Sequence, residues 1–419
     1  MNEIKHLRCL AAVKAMNGVI QLSPAAYPGN HCPMHTALSL ASRVKGMSTL
    51  VIGTAECGYY SRNIPAASPY RDQALHWTYI LDSNEVVFGF RKGLMAAIKE
   101  MDREGAKIIL LIGTCVPEVV CEDIEGLEDE MENQIKARLL YVPLGNFKCG
   151  SHQPGYWKTL RAMGSLIEKR QTNKTVINVL GRSVVEEHIP VPKLIEALMR
   201  EEFTIRYLAP DSSIEDFADA GDASLNMVLS PFMNPLAERI KAEHGISYFS
   251  LHDVYETEAV RQLYENIYRD LGKPVNSQLA DGFSAVHELQ QKCRKQMTGR
   301  SFISAQVGAV QPLPLAVYFR QLGMLPVMIH MEEFYPSDIL WRQQLLEREA
   351  NPIICMMVNE QADRRTIQEL EPDLVIGDWA GRSDVRPATV PILDLYGQIG
   401  YERTGQILKR MLGGKDGII

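Results

Sequence analysis

The sequence predicts three doubly wound, Rossmann-like α/β domains built on parallel sheets, and three observations carry that prediction. Short apolar runs of strand length alternate with amphipathic helical stretches, the alternation restarts twice, and 419 residues exceed what one core organises. In the first set, residues 48–52, 108–112 and 139–142 read as buried strands, and residues 86–101 read as one helix with apolar positions at helical spacing. A second set follows at 175–180, 204–208, 226–229 and 246–249, with helices over 191–200 and 235–243 between them. A third occupies 302–305, 325–329, 353–358, 374–376 and 390–393. These sets give expected domains of 1–168, 169–298 and 299–419. In such sheets ligands bind beyond the carboxyl ends of the strands, which directs attention to the turns found there.

Bulk chemistry narrows the function. Apolar content of 46% and charged content of 23% are those of a globular protein. A net charge of -7 and a pI near 5.9, with no Lys/Arg stretch, argue against a nucleic-acid partner. No membrane-length apolar run or secretory leader is visible, so a cytoplasmic protein with no membrane partner is expected. Eight cysteines are then thiols or metal ligands, not a disulfide framework. No GxxxxGK[ST] loop occurs, no GxGxxG follows an expected strand, and Gly413-Gly414-Lys415 is a tail; if the reaction needs ATP, another chain supplies it.

Three cysteines sit where strands are expected to end: Cys32 before Pro33, Cys57 after Gly53-Thr54, and Cys115 after Gly113-Thr114. Taken singly, each reads as an ordinary buried thiol. Together, at glycine- or proline-flanked strand ends, they read as ligands converging on one point. Spacings of 25 and 58 residues are too wide for a zinc ribbon or ferredoxin site, so soft thiolates from separate loops point to iron and sulfur. Three ligands are half a site, and a second chain or a fourth residue is implied. His31, His35 and His76 flank the region as further ligands to consider. Cys9, Cys293 and Cys355 fall in helix or strand patterns and read as structural, and Cys121 reads as facing a core. Glu118 and the acidic run Glu122, Asp123 and Glu125 read as solvated helix-capping groups.

The segments around these cysteines carry a resemblance. Cys32-Pro33-Met34-His35, Cys57-Gly58-Tyr59-Tyr60-Ser61-Arg62 and Cys115-Val116-Pro117-Glu118 resemble component 1 of nitrogenase and its relatives, as does Asn84-Glu85-Val86-Val87-Phe88-Gly89. Pro372-Asp373-Leu374-Val375-Ile376-Gly377 and Gly400-Tyr401-Glu402 extend the likeness to the last domain. It implies that Cys32, Cys57 and Cys115 bind one side of an Fe-S cluster, of the 8Fe-7S P-cluster kind or 4Fe-4S, shared with a homologous alpha-like subunit in an α2β2 assembly. It also implies an iron-protein homodimer that spends ATP to deliver electrons. Gly150-Ser151-His152 resembles beta-type subunits, and Met233-Asn234 lacks the cysteine that precedes the matching pair in alpha types. The stretch 393–398 also lacks the alpha-type histidine. On this likeness Cys149 is a weaker extra metal ligand, and His152 a weak candidate proton donor beside a redox centre.

The expected function is the beta-like, electron-relay half of a nitrogenase-like ATP-dependent reductase. The chain is shorter than nitrogenase beta subunits and lacks their amino-terminal extension, which points away from nitrogenase itself. The segments at Tyr59-Tyr60-Ser61-Arg62 and Gly150-Ser151-His152 favour methylthio-alkane reductase, with reductive C-S cleavage, over the tetrapyrrole reductases and the tetrapyrrole reductive cyclase. A cofactor-assembly scaffold is the alternative of another class.

Overall fold

The computed structural model describes residues 7–13, 32–149, 152–182, 190–304, 310–331, 334–335, 337–356, 366–377, 388–395 and 397–413. Strand β1 (Leu7–Cys9) opens the described chain and joins the edge of the last sheet, beside its strand Ile353–Met356, and not the sheet that follows it in sequence. The next four, β2 (Met47–Gly53), β3 (His76–Ile80), β4 (Ile108–Gly113) and β5 (Arg138–Pro143), form a parallel sheet in the order β3-β2-β4-β5. A second parallel sheet repeats that order with β6 (Asn173–Leu180), β7 (Thr204–Leu208), β8 (Ala223–Val228) and β9 (Tyr248–Ser250), as β7-β6-β8-β9. The third comprises β10 (Ser301–Ser304), β11 (Leu325–Met331), β12 (Ile353–Met356), β13 (Leu374–Ile376) and β14 (Ala388–Val390), in the order β12-β11-β10-β13-β14. In each sheet the chain winds first one way from its opening strand and then the other, which is the doubly wound arrangement.

The reason lies in the strand sequences. All seven residues of β2 are buried, so both faces need a cover. Leu50 and Ile52 pack with Ile109, Leu111, Leu94 and Ile98 on one face, while Val51 packs with Leu110, Ile112, Met34 and Leu38 on the other. That period of two, with apolar residues on both faces, suits a parallel sheet between two helical layers, and each such side chain buried contributes about 1.5–3 kcal/mol. The cores are shared between sheets. Val179 of β6 packs in one core with Phe302 of β10, and Leu180 beside it packs in another with Val51 of β2.

Four details depart from the expected pattern. β1 pairs antiparallel with β12, so Leu7–Cys9 belong to the third sheet and not with the first 168 residues, and Cys9 lies exposed on that sheet's edge. β3 was not expected, because His76–Ile80 is a half-exposed edge strand with no apolar run. The single helix over 86–101 is two, Ser83–Phe88 and Arg91–Arg103. The first is fixed by a capping box between Asp82 and Glu85 and ends at Gly89, whose φ of +94° lies in the region open to glycine. Finally, the last strand ends at Val390, and Leu393–Leu395 forms a 3-10 turn.

Candidate metal centre

The first sheet's winding reverses between β2 and β4, and the chain places two of its cysteines there. β2 ends at Gly53 and runs through Thr54 into the helix Ala55–Ser61, whose third residue is Cys57. β4 ends at Gly113 and runs through Thr114 into the helix Cys115–Val120, which Cys115 opens. Cys32 stands at the amino end of the helix Pro33–Ala41, started by the ring of Pro33 at its first position.

The other two thiols act on Cys32. The Cys32 thiol is raised above its ordinary range first by burial, then by the neighbouring Cys115 and Cys57 sulfurs, while the backbone amides of Met34 and His35 oppose the rise. Such a group is favoured as a thiolate when a cation neutralises it. Thr114 ties the two strand ends together: its Oγ1 donates to the carbonyl of Ile52 at 2.8 Å and lies 3.8 Å from Cys57 Sγ. Thr54 Oγ1 sits 3.7 Å from the same sulfur. The amide of Asn146, beyond the end of β5, donates to Cys115 Sγ at 3.2 Å. Among the described residues no three His, Cys, Asp or Glu side chains lie close enough together to hold one metal ion, so Cys32, Cys57 and Cys115 do not by themselves close on a single ion.

Glu118 is not the solvated cap expected. It is buried, accepts the amide of Gly145 and pairs with Lys148 at 2.9 Å, bracing the turn that carries Asn146 against the Cys115 helix. The acidic residues behind it are local: Asp123 accepts the amide of Gly126 at 3.0 Å, and Glu122 faces Arg91 at 3.9 Å. Cys121 does not face a core either. It is exposed and ends its helix in the left-handed region at φ 58°, a conformation strained for a residue with a Cβ. Cys293 and Cys355 are fully buried, as expected of structural thiols.

Cys149 packs against the same core as Cys32 and Cys57, and Lys158 Nζ donates to its sulfur at 3.7 Å. His152 begins the turn into the helix Pro154–Met163, its carbonyl accepting from Gly155 at 3.0 Å; Gly150 and Ser151 lie outside the described residues. His35 sits on the Cys32 helix, His31 lies outside the described residues, and His76 belongs elsewhere. His76 opens β3, at the strand's amino end, opposite the edge where the thiols gather. Sequence reasoning assigns no role to Thr54, Thr114 or Asn146; the Gly-Thr pair shared by Gly53-Thr54 and Gly113-Thr114 is the signal for the first two.

Around the thiols the surface is apolar. Tyr59, Tyr60, Val87, Phe88, Val119 and Phe147 are all exposed, Phe88 at 85%, on the four short helices that carry or adjoin the cysteines. At the matching edge of the second sheet, the turn before Met233-Asn234 holds Leu229 and Ser230, both buried.

Comparison with known proteins agrees with this architecture. The family described as nitrogenase component 1 type oxidoreductase matches residues 32–414. Light-independent protochlorophyllide reductase subunit N of Chloroflexus aurantiacus is 20% identical over 340 residues, covering 81% of this chain and 74% of the relative. The protein of the same name from Chlorobium luteolum is 23% identical over 361 residues, covering 82% and 80%. Among solved structures, nitrogenase Cp1 at pH 6.5 superposes with a TM-score of 0.66 at 16% identity, over 95% of this chain and 94% of that one. With a family match from Cys32 to the last described helix and three sheets wound alike, the chain belongs to the nitrogenase component 1 type oxidoreductases.

Proposed function

We propose that this chain is the electron-relay subunit of a nitrogenase-like reductase, holding one side of an Fe-S cluster through Cys32, Cys57 and Cys115. The placement of Cys57 and Cys115 just beyond β2 and β4, where the winding of the first sheet reverses, carries the reading, with Cys32 near enough for their sulfurs to raise its thiol. When bound, such a cluster supplies one-electron transfer at a potential set by its thiolates, their hydrogen bonds and burial. The chain's own part is to present the sulfurs, donate the Asn146 amide to Cys115 and hold the Thr hydroxyls beside Cys57. The exposed apolar residues around them suit burial against a homologous, alpha-like subunit that completes the ligand set, and an iron-protein homodimer would deliver the electrons and use the ATP.

The test is anaerobic purification with the homologous chain encoded beside it, followed by iron analysis and electron paramagnetic resonance. Cys57→Ala and Cys115→Ala are each expected to abolish the cluster signal; full iron content and signal in either variant sinks the ligand assignment. The names of the relatives favour a tetrapyrrole substrate, whereas the Tyr59-Tyr60-Ser61-Arg62 and Gly150-Ser151-His152 segments favour C-S cleavage. Supplying the complex with protochlorophyllide or with a volatile methyl sulfide, plus ATP and reductant, separates the two. An assembly scaffold would turn over neither, and would instead lose its cluster to an apo-enzyme.

A further inference from the structure

Glu118 places a carboxylate where burial is costly. Its side chain is only 4% exposed, on the short helix that Cys115 opens, and a charge taken out of water is tolerated only with partners. Both partners come from the segment just beyond β5: one carboxylate oxygen accepts the amide of Gly145, and the other pairs with Lys148 Nζ at 2.9 Å.

Gly145 in turn needs that acceptor. It is buried, and the bond that joins this segment to the end of β4 lies one residue earlier, from the Leu144 amide to the Gly113 carbonyl at 2.8 Å, so the Gly145 N-H has passed beyond the sheet. The contact is close enough that an added Cβ at Gly145 would sit 2.9 Å from Glu118 Cδ. The next residue, Asn146, is exposed and donates its amide to Cys115 Sγ at 3.2 Å. Cys115 and Glu118, three residues apart on one helix and so on neighbouring positions of its surface, therefore grip two consecutive amides, Asn146 and Gly145.

We propose that Glu118 is a positioning residue for the candidate centre: its carboxylate fixes Gly145 so that the following amide stays on the Cys115 sulfur and tunes the redox group that sulfur holds. The redox consequence rests on the reading of Cys115 as a cluster ligand, whereas the clamp is a property of the chain itself. An N-H donated to a ligand thiolate favours the more negative, reduced state, so the clamp holds the potential above that of a sulfur without the donor. Lys148, 58% exposed, balances the buried charge and adds little to the clamp.

The test compares two charge-matched double variants of the full chain. Glu118→Ala with Lys148→Ala removes the acceptor; Glu118→Gln with Lys148→Ala keeps an acceptor of the same reach; each loses one charge of either sign. Hydrogen exchange of the Asn146 amide, followed by NMR in the metal-free chain, should be at least about tenfold slower than in an unstructured peptide, the protection expected of one hydrogen bond. It should quicken about tenfold in the alanine pair and stay within about threefold of wild type in the glutamine pair. In the anaerobically assembled complex, redox titration followed by electron paramagnetic resonance should show the reduction equilibrium shifted at least about threefold toward the oxidised state in the alanine pair and held in the glutamine pair. An Asn146 amide unprotected in wild type, unchanged in the alanine pair or equally fast in both pairs overturns the clamp. Should the alanine pair not fold, protection in wild type and its retention or loss in the glutamine pair decide the matter. One potential shared by both pairs overturns the redox role alone. A complex that holds no iron overturns that role together with the ligand reading, while the exchange rates still decide the clamp.

Discussion

Gly53 shows how tightly single residues constrain the candidate centre. A Cβ there would lie 2.5 Å from Thr114 Oγ1 and 3.0 Å from Cys57 Sγ, and Thr114 is buried and tied to Ile52. Gly53→Ala is therefore expected to displace the Cys57 sulfur and lower iron content at least twofold while leaving secondary structure, followed by circular dichroism, intact. Wild-type iron loading in that variant would show that the Thr114 bridge does not position the thiol. A different residue governs acid stability. His252 is fully buried, its Nε2 sharing hydrogen bonds with Ser250 Oγ at 2.9 Å and Asn234 Oδ1 at 3.2 Å, and burial holds the ring to about 4 against an ordinary 6.5. The unfolded chain thus takes up this proton first, so the contribution is intact above pH 6.5 and is lost as pH falls from there toward 4. Between those limits the wild type should lose about 3 kcal/mol more unfolding free energy than His252→Gln, read from urea titrations at each pH. Equal pH slopes would disprove the assignment to His252.

Among the secondary elements, the Cys32 helix is placed by a glycine on its neighbour. Gly155, at the start of Pro154–Met163, lets that helix approach so closely that an added Cβ would sit 2.1 Å from the Pro33 carbonyl and 2.7 Å from Thr36 Cβ. Backbone cannot yield as a side-chain tip does, so Gly155→Ala should cost about 1–3 kcal/mol. It should also push Pro33–Ala41, and Cys32 with it, away from the other thiols, so a lowered melting temperature and lost iron are expected together; loss of neither would refute the contact's importance. Much at this scale was readable in advance. The strands of β2, β4 and β5 announce themselves by continuous apolar runs, and the breaks after them by Gly-Thr and Pro-Leu-Gly. β3 gave no such signal because an edge strand carries mixed residues, and the break at Gly89 was hidden inside an otherwise helical pattern.

Across the whole molecule, the exposed apolar residues and the thiols share one edge of the first sheet. A double variant, Phe88→Asp with Val119→Asp, introduces charge into that surface where the helices Ser83–Phe88 and Cys115–Val120 touch. If the surface buries against a homologous subunit, the variant should co-purify with it at least about tenfold less, a cost of roughly 1.4 kcal/mol or more; undiminished assembly would place the interface elsewhere. The sequence by itself determined the three-sheet α/β architecture and the places of Cys57 and Cys115 just beyond strand ends, because strand burial and turn chemistry are local patterns. Tertiary structure alone decided which ends meet. The pairing of Leu7–Cys9 with β12, the bridge from Thr114 to Ile52, the burial of Glu118 against Gly145 and the separation of His76 from the thiols join residues far apart in the chain. Contacts of that range leave no local periodicity to read; they follow from how the sheets wind and pack.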